Sequence, residues 1–158
     1  MKKKTKRIKL TPLPKLIKQT HDLVSKYVRA RDKQCVLCGS RENLCAGHLF
    51  KRGKKIITFD LRNVNCLCKP CNWQDNFFHD KYVDWFIRKY GVALYHEFMQ
   101  KVIDNPIFKF KREELHSLQI SLKYLIEEKT DYKEGIESIQ RDAIEVGIKE
   151  YHKKLKEK

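Results

Sequence analysis

Two Cys-x-x-Cys pairs constrain this 158-residue chain more than any other feature. They are Cys35-Val-Leu-Cys38 and Cys68-Lys-Pro-Cys71, with 29 residues between them. Each turn presents two thiolates about one tetrahedral edge apart, and four such sulfurs are a ligand set for a structural Zn²⁺. Gly39 and Asn72, which follow the pairs, suit tight turns that aim backbone N–H groups at sulfur. One ion would then join two distant segments, and in a small core that link decides whether the domain folds. Cys45 and Cys66 are left over. Cys66 stands close enough to Cys68 to compete as a ligand, but both read best as small buried apolar residues. An iron–sulfur cluster is the weaker alternative, since two pairs already satisfy zinc.

Charge narrows the partners. The chain carries 35 Lys and Arg against 20 Asp and Glu, a net of +15. Residues 1–34 hold 12 basic and 2 acidic side chains, residues 35–91 hold 10 and 5, and residues 92–158 hold 13 and 13. A polyanion is therefore expected on the N-terminal and central parts, with nucleic acid ahead of an anionic membrane. No apolar run reaches the length of a membrane span, and no apolar stretch follows the basic start as a secretion signal requires. A cytoplasmic, reducing location is expected, where cysteines hold metal more often than they form disulfides.

The chain divides into three regions: a basic arm with an amphipathic helix over 1–34, a zinc-bound core over 35–91, and a helical region over 92–158. Within the first, Leu16, Ile17, Leu23, Val24, Tyr27 and Val28 draw one apolar stripe on a helix over 15–32. Within the second, Ile56-Ile57-Thr58-Phe59 has strand composition and is expected to pair as a hairpin with residues 44–50. Lys51, Arg52, Lys54 and Lys55 lie in the connection and are expected to grip the DNA backbone, which positions without reading sequence. A helix is expected over 72–90, closed by Gly91, with its aromatic residues in the core. Two more are expected over 112–129 and 134–156, available for packing or for a dimer.

Three residues stand in register with the cysteines. His48 lies on the first strand, four residues separate Asn63 from Cys68, and Asn72 directly follows Cys71. This arrangement resembles the HNH nuclease motif over roughly residues 35–80. The resemblance implies an α+β fold with a small zinc-bound ββα core of the His-Me finger kind, flanked by N- and C-terminal helices. Phosphodiester hydrolysis needs an activated water, an orienting partner for the base and a cation on the developing charge. His48 would be the general base, since an imidazole titrates near neutrality. Asn63 would orient it through its side-chain amide. A single Mg²⁺ or Mn²⁺ would stabilise the leaving 3′ oxygen, and Asn72 and Asn76 match the positions of metal ligands in HNH enzymes. On a helix starting at Asn72, the residues Asn72, Asp75, Asn76 and His79 share a face.

A wider resemblance covers roughly residues 15–128. Ser25-Lys-Tyr-Val-Arg-Ala-Arg-Asp32, Ala46-Gly-His48, Arg52-Gly53, Phe59-Asp60, Asn63, Cys68-x-x-Cys71-Asn72, Tyr82, Gly91 and Lys111-Arg-Glu-Glu-Leu115 resemble the NinG (Rap) recombination family of lambda-like bacteriophages. That resemblance implies a phage or prophage protein working in the bacterial host. The implied activity is structure-specific endonuclease action on branched DNA such as Holliday junctions. Symmetric cutting of a junction would call for a homodimer. The chain departs from the pattern in two places. Gly47, before His48, has no ligand atom, so a metal would lean on Asp75, Asp60, His79 or the substrate phosphate. Phe77-Phe78 stands where the family usually has Gly-Asn. These departures favour the alternative, a non-catalytic zinc-stabilised DNA-binding module of a recombination or replication complex. A restriction or defence nuclease with the same core is a third reading.

Overall fold

The apolar stripe near the N-terminus becomes the buried face of α1, Leu13–Asp32, with Leu16, Thr20, Val24, Tyr27 and Val28 turned inward. The structure, a computed structural model, describes residues 11–127. Residues 1–10 of the basic arm, the last two residues of the helix expected over 112–129 and the helix expected over 134–156 lie outside them. Pro14 sits in the first turn of α1, where its missing N–H costs nothing. The helix stops at Lys33, which is left-handed at φ 61° and donates its N–H to the Arg29 carbonyl.

The end of α1 is fastened to the sheet by charge. Arg31 forks onto Asp32 at 2.7 and 2.8 Å and also donates to the carbonyls of Leu61 and Val64 and to Asn65 Oδ1. Asp32 in turn accepts the backbone N–H of Cys66 at 2.8 Å. Both side chains are nearly enclosed, at 5% and 7% exposure. A bidentate guanidinium with all three nitrogens donating is the form in which a buried ion pair holds its place.

The sheet is a two-stranded antiparallel hairpin, β1 Leu44–His48 with β2 Val64–Cys68, in the register Leu44 opposite Cys68 and His48 opposite Val64. The strand expected over 56–59 is instead part of the connection, where a 3₁₀ turn spans Lys55–Ile57. Ile57 and Thr58 are buried, so their composition signals burial rather than extension. The Thr58 hydroxyl donates to the carbonyls of Arg52 and Lys54, closing the turn on itself.

After β2 the chain enters α2, Lys69–Gln74, with Pro70 in its first turn. The single helix expected over 72–90 is broken here. The N–H groups of Phe77 and Phe78 both turn back to the Gln74 carbonyl, and α3 restarts at Asp80–Tyr90. Gly91, at φ 87°, ends α3 as expected and donates to the Ile87 carbonyl. A further helix, α4, spans Val92–Asp104, and α5 spans Arg112–Glu127.

The architecture is α+β, with five α-helices and one small sheet among the described residues. The hairpin lies between two apolar clusters. Val24, Tyr27, Val28, Leu61, Val64, Leu122 and Leu125 join it to α1 and α5. Leu49, Ile57, Leu67, Tyr82, Phe86 and Phe98 join it to α3, α4 and the cysteine turns. Gln119 crosses from α5 to α1, donating to the Leu16 carbonyl and the Thr20 hydroxyl. Among the described residues, no helix is long and apolar enough to cross a membrane.

Candidate functional site

The four sulfurs of Cys35, Cys38, Cys68 and Cys71 lie within 4.8 Å of one another. Those of Cys38 and Cys68 are 3.7 Å apart, and a tetrahedron built on Zn–S bonds near 2.3 Å has edges of about 3.8 Å. Two unlike elements supply the sulfurs. The first pair sits on a turn after α1, where the Gly39 N–H reaches the Cys35 carbonyl at 2.8 Å and the Cys35 N–H reaches that of Ser40 at 2.7 Å. Gly39 takes φ 76°, a conformation that costs glycine little. The second pair spans the end of β2 and the start of α2. Hydrogen bonds from Val36 to Cys66 and from Lys69 to Asn43 tie the two segments together.

The chemistry of the four thiols fits a cation between them. A backbone hydrogen bond with Ser40 draws the Cys38 thiol down to about 7. Burial pushes Cys71 up, and its neighbours Cys68 and Cys38 push it further. Thiols this close do not ionise together unless a cation offsets their charge. The set can hold a structural metal such as zinc. Among the described residues it is the one cluster of His, Cys, Asp or Glu close enough to do so. Cys45 and Cys66 stand outside it. Cys66 is buried and pushed up to about 11, first by burial, as suits a small core thiol.

His48 ends β1 at 7% exposure, and its Nε2 is buried with no hydrogen-bond partner. Its ring faces His21 of α1 edge-on at 5.9 Å, and His21 packs on Phe59 at 4.6 Å. Burial holds the His48 imidazole down at about 4, with Arg52, His21 and Lys51 acting in the same direction and a hydrogen bond to the Thr58 backbone opposing them. The ring is therefore neutral near pH 7. Arg52, Lys54 and Lys55 are exposed on the loop that follows.

Asn63 serves a different neighbour from the one expected. Its Oδ1 accepts the Phe50 N–H at 2.8 Å, while its Nδ2 donates to the carbonyls of Phe50 and Ile57. The Asn63 carbonyl also accepts the Leu49 N–H at 2.9 Å. Every side-chain hydrogen-bonding atom is thus committed to backbone, none of it to the His48 ring. Asn63 fixes the two residues that leave His48, so it governs the imidazole only through the chain.

Of the expected catalytic-metal residues, Asp75 and Asn76 meet Lys51, while Asn72 lies beside Gly47. Lys51 donates to the buried carboxylate of Asp75, and its ammonium lies 3.4 Å from Asn76 Oδ1. The other Asp75 oxygen is 2.7 Å from His79 Nδ1. An ammonium therefore already sits on oxygens of Asp75 and Asn76. Asp60 is paired with Arg62. Gly47 cannot be a ligand or be readily replaced by one: a Cβ there would stand 2.3 Å from Leu67 Cδ1 and 3.1 Å from Asn72 Oδ1. As placed, these residues do not fit Mg²⁺ or Mn²⁺. Because α2 stops at Gln74, no helical face carries Asn72, Asp75, Asn76 and His79 together, although the Asp75–His79 contact keeps an i,i+4 spacing.

Residues 1–134 match the family described as Bacteriophage Lambda NinG protein. The chain belongs to the NinG family. No curated protein and no solved structure matches it. The match takes in every described residue of this NinG-family chain, including both cysteine pairs, His48 and α5.

Two groups of the NinG-family chain carry weight that the spacing of motifs does not disclose. Tyr82, fully buried on α3, donates its hydroxyl to the Gly47 carbonyl at 3.0 Å and accepts from Asn65 Nδ2 at 3.1 Å. It therefore holds β1 one residue before His48. Its sequence signals are a place in the NinG-like pattern and a polar tip on an aromatic inside an apolar stripe, and neither names its hydrogen-bond partners. Trp73, Phe77 and Phe78, expected in the core, are 65%, 66% and 70% exposed. The break between α2 and α3 turns them out.

Proposed function

We propose that this NinG-family chain is a structure-specific DNA endonuclease that hydrolyses phosphodiester bonds in branched, Holliday-junction-like DNA during phage recombination. The observation that carries the reading is His48. A neutral imidazole with an unpartnered Nε2, at the root of an exposed loop bearing Arg52, Lys54 and Lys55, is the free base such a reaction needs. A buried nitrogen without a partner is costly to a fold and is kept where it has work to do. The order strand, strand, helix around the four cysteines agrees with the HNH arrangement.

In this reading the cysteine site, loaded with zinc, holds the two ends of the hairpin. Tyr82 and Asn63 fix the backbone on either side of His48. Lys51, half exposed, leaves Asp75 for a phosphate oxygen, and Arg52, Lys54 and Lys55 hold the flanking backbone. The Lys51–Thr58 loop shifts to admit the scissile phosphate, because Nε2 has no access to solvent as folded. His48 takes a proton from water, the water oxygen bonds to phosphorus, and the bond to the 3′ oxygen breaks. That oxygen takes its proton from solvent. Paired cuts across a junction call for two such sites, hence a homodimer; light scattering that gives one chain at every concentration removes that element.

A second reading has its own support. With Lys51 on Asp75 and Leu67 against Gly47, the chain works as a zinc-stabilised DNA-binding module without chemistry. Cleavage assays on an immobile four-way junction and on linear duplex, each with Mg²⁺, with Mn²⁺ and with chelator, separate the two. The endonuclease reading expects nicks near the branch and none in the duplex. Binding without any cut supports the module. Sequence-dependent cuts in the duplex would point to a restriction-like nuclease.

A further inference from the structure

The turn between α2 and α3 presents three aromatic rings that the core does not take. Trp73, Phe77 and Phe78 are each about two-thirds exposed, while Tyr82 and Phe86 a few residues on are fully buried. The Trp73 and Phe77 rings stand together with centroids 5.0 Å apart and planes inclined at 57°. Phe78 lines an open groove that also runs past Leu37, Cys38, Gln74 and Lys81. A cluster of exposed rings marks a contact surface.

The surroundings say what the surface touches. Lys51, the first residue of the basic loop, is joined to this turn through Asp75 and Asn76, and Arg52, Lys54 and Lys55 follow it exposed on the same loop. Lys69 and Lys81 are exposed on α2 and α3; Asp80 and Asp75, the latter paired with Lys51, are the opposing charges in the groove. The chain as a whole carries +15, so a second copy would bring like charge to the same rim. Aromatic faces bordered by cations are the chemistry that binds unpaired nucleobases, since every base has a face to stack and a phosphate beside it.

We propose that Trp73, Phe77 and Phe78 form a stacking platform for unpaired nucleobases, with the Lys51–Lys55 loop holding the adjoining phosphates. The chain then grips DNA where strands part rather than along paired duplex. The proposal rests on the DNA-binding half of the function above and is independent of cleavage.

The test is equilibrium binding of the full zinc-loaded chain to two labelled DNAs of equal length. One is fully paired and the other carries a short unpaired thymine gap. Wild type is expected to favour the gapped DNA by about tenfold. Trp73→Ala and the pair Phe77→Ser with Phe78→Ser are expected to lose that preference while binding paired DNA as before. Trp73→Phe, and Phe77→Tyr with Phe78→Tyr, are expected to keep it. Zinc content and circular dichroism confirm the fold of each variant, which these exposed positions leave intact. Equal binding of both DNAs by wild type overturns the platform alone, and so does undiminished preference in the truncated variants. Loss of self-association in the variants, with DNA preference unchanged, assigns the patch to a second copy. Failure of wild type to bind either DNA overturns the platform together with the DNA-binding reading.

Discussion

The ammonium of Lys51 donates to the carboxylate of Asp75, joining the loop after β1 to the turn after α2. Asp75 is almost wholly enclosed, at 2% side-chain exposure, and Lys51 is half exposed at 52%. Lys51→Met leaves that carboxylate with His79 alone. The variant is expected to lose about 1–2 kcal/mol in urea unfolding, less than a fully buried pair because water reaches the lysine. It is also expected to bind DNA with a salt slope shallower by about one. Unchanged stability and slope would contradict the pairing.

His48 makes stability depend on pH in a known direction. Its folded value is about 4 against an ordinary 6.5, so below 6.5 the unfolded chain takes up a proton that the folded chain refuses. The stability it contributes is present above 6.5 and is lost as pH falls towards 4, on the order of 3 kcal/mol across that window. Urea titrations of wild type and His48→Gln at a series of pH values isolate this from other groups. The difference between the two is expected to shift steadily over that range. In cleavage, the acid limb of kcat/KM is expected near 4, well below that of a free imidazole.

Gly47 is occupied space rather than an omission. Gly47→Ala is expected to destabilise the fold by about 1–3 kcal/mol, because Leu67 Cδ1 would stand 2.3 Å from the new Cβ. In a Leu67→Ala background the same substitution should cost almost nothing further, although Leu67→Ala alone costs about 2–5 kcal/mol. A double-mutant cycle reads the coupling. Additive costs would show that the clash is relieved elsewhere.

The cysteine site is expected to bind about one zinc per chain and to govern folding. Strong chelation under reducing conditions is expected to remove the metal together with much of the helical circular dichroism. Cys38→Ser should act in the same way. Retention of native structure in the metal-free chain would make the site incidental to the fold.

Which parts were legible in advance follows from how local their causes are. The apolar stripe of α1, the glycine stop at Gly91, the leucine face of α5 and the two cysteine pairs are fixed by residues within a turn or two of one another. β2 was not legible, because all five residues of Val64–Cys68 are buried and no polar alternation marks them. Ile56–Phe59 was misread because its apolar content reports burial, while its conformation is set by the Thr58 hydroxyl and the Asn63 amide. The break after Gln74 leaves no mark in the periodicity either, and the bond that ties Asp75 to Lys51 spans 24 residues. In the site, the clustering of the cysteines and the strand position of His48 were legible from spacing. The hydrogen bonds of Asn63 were not, because which backbone an amide clamps depends on the path of a loop.

The most direct test of the account is single-turnover cleavage of a four-way junction by wild type and His48→Ala, with His48→Gln as a second variant and junction binding measured in parallel. The account predicts equal binding and zinc content, with cleavage slowed by about a hundredfold or more in both variants. Cleavage by either variant at the wild-type rate would contradict it.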